Sequence, residues 1–171
     1  MAFVVEDGSG IANANSYAST EYADEYFTDR KNDQWLSLTL EKKQAALIQA
    51  TDYINIWYSD RFKGTEKTDT QAMPWPRVST GLPTEMPSQL LKATSEYAVR
   101  AAASPLNADV VTDSTGQVIQ KLVERVGPIE EETTYHTPQE LSFVGKKRPI
   151  PAADRLMKFL LRSTGGGVIR N

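Results

Sequence analysis

Apolar positions in this chain recur mostly with the period of an α-helix. Tyr22, Ala23, Tyr26 and Phe27 lie at helical spacing behind two cap candidates, Ser19 and Thr20, with Glu21 in the first turn. That pattern predicts a helix ending near Arg30-Lys31, where basic side chains complement the carbonyl end. A loop through Asn32-Asp33 then carries Trp35 and Leu36, both expected to be buried. Thr39 caps a longer helix running to about Tyr58. Its packed face reads Leu40, Leu47, Thr51, Ile54 and Tyr58, widened by Ile48 and Trp57. Strong helix formers, Glu41 to Ala46, fill the remaining early positions. A third helix is predicted from Pro87, with Leu90, Leu91, Thr94, Tyr97, Ala98 and Ala101 on its buried face, ending before Pro105. Its small residues, Ala98 and Ala101 to Ala103, leave room for another helix to approach.

Between and beyond these helices the pattern changes. Phe3-Val4-Val5 reads as a short extended segment, followed by a loop through Gly8 and Gly10. Residues 59–72 are polar and loop-like. Met73-Pro74-Trp75-Pro76-Arg77 is a stiff turn, because each proline fixes φ and biases its predecessor toward extended backbone. Trp57, Trp75, Pro76 and Arg77 are therefore expected to clamp the end of the long helix to that turn. Residues 106–117 are turn-rich. In residues 118–135 helical and strand periods compete; Gly127-Pro128 prevents one continuous helix, and the Val and Ile content favours extended chain. Lys146-Lys147-Arg148-Pro149-Ile150-Pro151 reads as a basic, proline-stiffened linker. After it, Ala152 to Arg162 is amphipathic and Gly165 to Gly167 a flexible end. The expected architecture is mainly α: a small helical bundle over 1–145, an extended or β-like excursion at about 104–145, and a C-terminal arm over 146–171.

The 171 residues suit one domain with such an arm, and no apolar run approaches membrane-spanning length. The first residues lack a basic region followed by an apolar core, so no secretory signal is expected. Cysteine is absent, which removes disulfides, thiolate chemistry and cysteine-based zinc sites. Assembly in the cytoplasm, or within a particle that later leaves the cell, fits that composition. The formal net charge of −3 conceals an asymmetry: residues 146–171 hold seven basic side chains against Asp154 alone. The rest of the chain is correspondingly acidic. A basic arm on an acidic body suits docking on an acidic surface or on nucleic acid, and the alternation of its cations with apolar residues favours docking over a merely solvated tail.

Catalytic chemistry finds little support. His136 stands alone, whereas zinc sites without cysteine lean on two or three histidines. No nucleophile-elbow pattern accompanies it. Glu130-Glu131-Glu132 reads as a solvated face. Gly8 with Gly10, and the later triple glycine, lack the strand, helix and Lys-Ser/Thr context of a phosphate loop. Neither an enzyme nor a cofactor is expected. Nucleic-acid binding has a more substantial pattern, since Tyr53, Trp57, Tyr58, Arg61, Phe62, Lys63, Trp75 and Arg77 interleave aromatic and basic side chains as stacking platforms do. Against it, Tyr53, Trp57 and Tyr58 fall on a helix with a strong core pattern, and the body is acidic.

The ordered series MAFVVEDGSGIANANSY, EYADEYFTDR, KKQAALIQATDYI, FKG, WPR, PSQLLKATSEYA and ERVGPIEEETTY resembles one bacteriophage family over nearly the whole chain. Its members are labelled DnaT-like single-stranded DNA-binding proteins and are similar to the head–tail connector, or adaptor, proteins of tailed phages. The resemblance implies a structural virion protein of the head–tail neck, assembled in the host cytoplasm. Its copies would form a ring, expected to be dodecameric, beneath the portal protein. That ring would extend the DNA channel toward the next neck or tail component, with DNA passing through without sequence-specific binding and no membrane involved. An arm gripping the portal would use Lys146, Lys147, Arg148, Arg155 and Lys158 for steering and Leu156, Phe159 and Leu160 for apolar burial. Deleting residues 146–171 would then leave a folded body unable to join the portal. The alternative is single-stranded DNA binding, in which replacing Trp57 and Arg61 weakens binding without unfolding the protein.

Overall fold

A computed structural model of the chain describes residues 2–82, 85–107 and 149–162, together with the backbone of 119–125 and 130–135. The fold is mainly α with small β elements: α1 (Thr20–Thr28), α2 (Asp33–Leu36), α3 (Leu40–Tyr58), a 3₁₀ turn (Ser59–Arg61), β1 (Thr65–Glu66), β2 (Arg77–Val78), α4 (Ser88–Ala101), β3 (Ile119–Arg125), β4 (Glu130–Tyr135) and α5 (Pro151–Lys158).

Local chemistry accounts for the helix starts. The Ser19 side chain accepts from the Tyr22 N–H and Thr39 from the Lys42 N–H, each satisfying one otherwise unpaired donor. Asn32 does the same for Trp35 and starts the one-turn α2 inside the stretch read as loop. Trp35 is fully buried, its ring 5.3 Å from that of Phe27. Its indole N–H donates to Asp24 Oδ1 at 2.6 Å, and Lys43 Nζ lies 2.9 Å from the same oxygen. One carboxylate therefore joins α1, α2 and α3. Leu36 and Leu40, expected in the core, are exposed instead. Both lie at the ends of the α2–α3 connection, where the chain turns over the surface before α3 begins its packed face at Ala46 and Leu47.

Helix α3 packs on α4, and α4 packs in turn on α5. Small buried side chains on α4, Ala93, Thr94, Ser95 and Ala98, permit this close approach. The core contains Leu47, Tyr53, Ile54, Leu90, Tyr97, Met157 and Leu160. At the N-terminus, Val5 bridges Ser16 in parallel, and the buried Glu6 carboxylate accepts the N–H groups of Gly8, Gly10 and Ile11 at 2.9 Å. The loop that the glycines form thus closes on the chain's own carboxylate.

The expected separation of a 1–145 body from a 146–171 arm is corrected by the packing. Residues 1–106 and the segment from Pro149 onward belong to one compact unit, and residues 107–148 to another. Ile150, Ala153, Met157, Leu160 and Leu161 are all buried in the first unit's core. Burying the four large ones contributes about 6–12 kcal/mol at roughly 1.5–3 kcal/mol each, an upper value against a partly compact unfolded chain. That is comparable to the whole stability of a typical domain, about 5–15 kcal/mol. Removing residues 146–171 is therefore expected to unfold the unit, not to leave an intact body.

The described part of the second unit is a hairpin. β3 and β4 pair antiparallel from Ile119 opposite Tyr135 to Arg125 opposite Glu130, with an irregularity between Ile119 and Lys121. The extended reading holds for the described residues 119–125 and 130–135.

Candidate functional site

The loop after α3 and the chain after α5 meet. Phe62 and Leu161 form an antiparallel bridge, with the Lys63 N–H donating to the Leu160 carbonyl at 3.0 Å and the Arg162 N–H to the Arg61 carbonyl at 2.8 Å. The sequence dictates this locally. Extended residues alternate sides, so the apolar Phe62 and Leu161 turn inward while Arg61, Lys63 and Arg162 flank them. Phe62 is fully buried, edge-on to Trp75 with ring centroids 5.4 Å apart.

Gly64 then reverses the chain at φ 70°. A Cβ there would fall 2.0 Å from the Val78 carbonyl oxygen, so only glycine lets β1 and β2 close. Arg77, only 8% exposed, locks the same corner. Its guanidinium donates to the carbonyls of Lys63 at 2.8 Å, Gly64 at 2.8 Å and Pro74 at 3.0 Å. Burial lowers its pKa from the ordinary arginine range, while Glu66 at 3.8 Å opposes that. Trp75 is fully buried, joined to Pro76 by a cis peptide bond, and its indole N–H donates to the Glu85 carbonyl. Trp57 is half-buried on α3, its ring 6.2 Å from that of Tyr53.

Helix α5 and the four residues after it divide their side chains between two jobs. Ala153, Met157 and Leu160, at i, i+4 and i+7, point into the core. Arg155, Lys158, Phe159 and Arg162, at i, i+3, i+4 and i+7, are exposed. Leu156 is half-buried against the core. Of the residues named for the arm, Arg155, Lys158 and Phe159 thus form one surface, whereas Leu160 is consumed by the core. Lys146, Lys147 and Arg148 lie outside the described residues, as does His136.

The tertiary contact brings Arg61 and Lys63 beside that α5 surface. Lys63 Nζ donates to the Phe159 carbonyl at 3.0 Å, and Arg162 Nε to the Phe62 carbonyl at 2.9 Å. Arg61 also stacks over Tyr58 at 5.8 Å. Five cations therefore edge one surface, with Asp60 and Asp154 the acids in the same stretches. Among the described residues none of the five forms an ion pair. Asp154 is turned inward, its Oδ1 accepting from the Tyr58 hydroxyl at 3.0 Å and from the Tyr97 hydroxyl, and its Oδ2 from the Ile150 N–H at 3.0 Å. Desolvation pushes both tyrosine pKa values well above the usual range.

Sequence reasoning placed Arg61 and Lys63 in one hypothesis and the α5 residues in another. It missed Arg162 and the Tyr58–Tyr97–Asp154 cluster. The alternation Arg61-Phe62-Lys63 was the available signal for an inward-facing extended segment. The aromatic platform imagined over residues 53–77 does not form as a surface, since Tyr53, Tyr58, Phe62 and Trp75 are buried. Among the described residues no acidic or histidine cluster could hold a metal ion, and no helix is long and apolar enough to cross a membrane.

Fold and surface together define a small, mainly helical protein that presents a basic, partly aromatic edge among its described residues. The sequence model of the family described as "Putative DnaT-like ssDNA binding protein" matches residues 1–171. The chain belongs to that family. No curated protein and no solved structure matches it significantly.

Proposed function

We propose that this protein binds single-stranded DNA, without catalysis, along the edge formed by Arg61, Lys63, Arg155, Lys158 and Arg162. The observation that carries the reading is the convergence of these cations, unpaired among the described residues, from two segments about a hundred positions apart. Their gathering on one edge answers the objection from the acidic body, because phosphate binding depends on the local field near the strand rather than on net charge. The family description supports the same ligand.

The test is fluorescence anisotropy of a labelled oligothymidylate over a salt series. With three to five phosphates neutralised, log K should fall against log salt with a slope of about −2 to −3.5. Exchanging Lys63 and Arg162 for Glu should weaken binding and flatten the slope. No binding by the unaltered protein at low salt sinks the reading.

A second reading is a head-to-tail adaptor ring, expected as a dodecamer, that docks under the portal protein of a tailed phage and extends the DNA channel toward the next neck or tail component. Phe159 and Ile56, 59% and 66% exposed in a single chain, favour it. Apolar side chains left uncovered in this way suit contact with another protein. Arg155, Leu156, Lys158 and Phe159 would face the portal, joined by Lys146, Lys147 and Arg148. Electron microscopy of the protein mixed with the portal ring decides this reading. Added density at the narrow end supports the adaptor, and a bare portal removes it.

A further inference from the structure

Resting on the single-stranded DNA reading, we infer that Phe159 is the base-stacking residue of this edge and the source of its preference for single over double strands. Phe159 is the one aromatic side chain among the large, exposed hydrophobic residues described; the others, Leu36, Leu40, Ile56 and Val78, are aliphatic. Its backbone is held from both sides. The N–H donates to the Leu156 carbonyl at the end of α5, and the carbonyl accepts from Lys63 Nζ. The ring is thus presented from a fixed position rather than from a loose end.

Cations surround it. Arg155 lies one turn back, four positions earlier, while the exposed Lys158 and Arg162 stand one position before and three after it. Lys63 spends one of its three donors on the Phe159 carbonyl, and Arg162 spends Nε on the Phe62 carbonyl. Two ammonium N–H groups and two guanidinium NH₂ groups remain for phosphates. A π-face flanked by phosphate-binding cations is what an unpaired nucleotide needs, and every base offers such a face. In a duplex the bases already stack on one another, so the phenyl ring reaches none without unstacking a pair. The cations would still hold duplex phosphates. The edge should therefore bind both forms electrostatically, with Phe159 adding affinity only for the single strand, whatever its sequence.

The experiment compares wild type, Phe159→Ala, Phe159→Leu and Phe159→Trp for binding to a labelled oligothymidylate and to a labelled duplex at one salt concentration. Circular dichroism verifies that each variant is folded, which the exposure of the ring favours. Phe159→Ala should weaken single-strand binding by about 5- to 100-fold and duplex binding by less than twofold. Phe159→Leu should lose nearly as much, and Phe159→Trp should retain wild-type affinity. If Phe159→Ala binds the single strand like wild type while Lys63→Glu does not, stacking is overturned and the DNA-binding reading survives. An equal loss for single strand and duplex also overturns it, as does full retention by Phe159→Leu. If the unaltered protein binds no oligonucleotide, the reading and the inference fall together.

Discussion

Asp154→Ala should destabilise the helical unit by about 2–4 kcal/mol, although its side chain belongs to a short C-terminal helix. In the native protein this carboxylate accepts the Tyr58 and Tyr97 hydroxyls and reaches back to the N–H of Ile150, the residue capping α5. The three bonds draw on α3, α4 and the start of α5. A hydrogen bond to a charged group contributes about 1.5–3 kcal/mol, and loss of a capping interaction costs about 1 kcal/mol. The full sum is not lost, because the two hydroxyls lie 2.9 Å apart and one can donate to the other, leaving a single buried donor without an acceptor. With a urea slope of about 2 kcal/mol/M, the unfolding midpoint should fall by about 1–2 M. Tryptophan fluorescence and far-ultraviolet circular dichroism would follow the transition. Tyr97→Phe alone should cost about 1 kcal/mol, and the double variant should show a coupling of at least about 1 kcal/mol in a double-mutant cycle. A midpoint within about 0.3 M of wild type for Asp154→Ala, or strict additivity in the cycle, would refute this account of how α5 is fastened.

Ending the chain after Arg148 should give a product that shows no cooperative urea transition, because Met157, Leu160 and Leu161 leave the core; a sharp transition would restore the picture of a separable arm. Trp75→Ala should cost about 3–5 kcal/mol as a fully buried ring is deleted, whereas Trp57→Ala, on a half-buried site, should cost clearly less in the same unfolding assay. Stability should decline above pH about 10, where unfolded tyrosines ionise. Burial raises the pKa of Tyr17 and Tyr97, so the folded chain keeps protons that the unfolded chain releases. Their contribution is fully present below pH about 10. It is lost at about 1.4 kcal/mol per pH unit for each such residue as pH rises further. Urea midpoints at pH 8 and pH 11 measure this, and equal midpoints would contradict it.

Local patterns were sufficient for the three longest helices, though not for the one-turn α2. Ser19 and Thr39 cap where a hydroxyl precedes an apolar helical stripe, and the valine-rich stretch after 118 pairs as a hairpin backbone, because capping and periodicity depend on residues a few positions apart. The rigid Met73–Arg77 turn was equally legible, since proline restricts the backbone wherever it stands. The destination of the C-terminal segment was not. A basic linker before an amphipathic helix looks the same whether its apolar face meets another protein or its own chain. Only the geometry of α4, with small side chains facing α5, and the inward tyrosine hydroxyls waiting for Asp154 made the second outcome the stable one. For the same reason the candidate edge was invisible along the chain. Arg61 and Lys63 come beside Arg162 through a backbone pairing across about a hundred residues, and its register is set by burying Phe62 and Leu161 together. Charge and hydrophobicity wrote both halves of that surface into the sequence, but only the burial of one apolar pair brought them side by side.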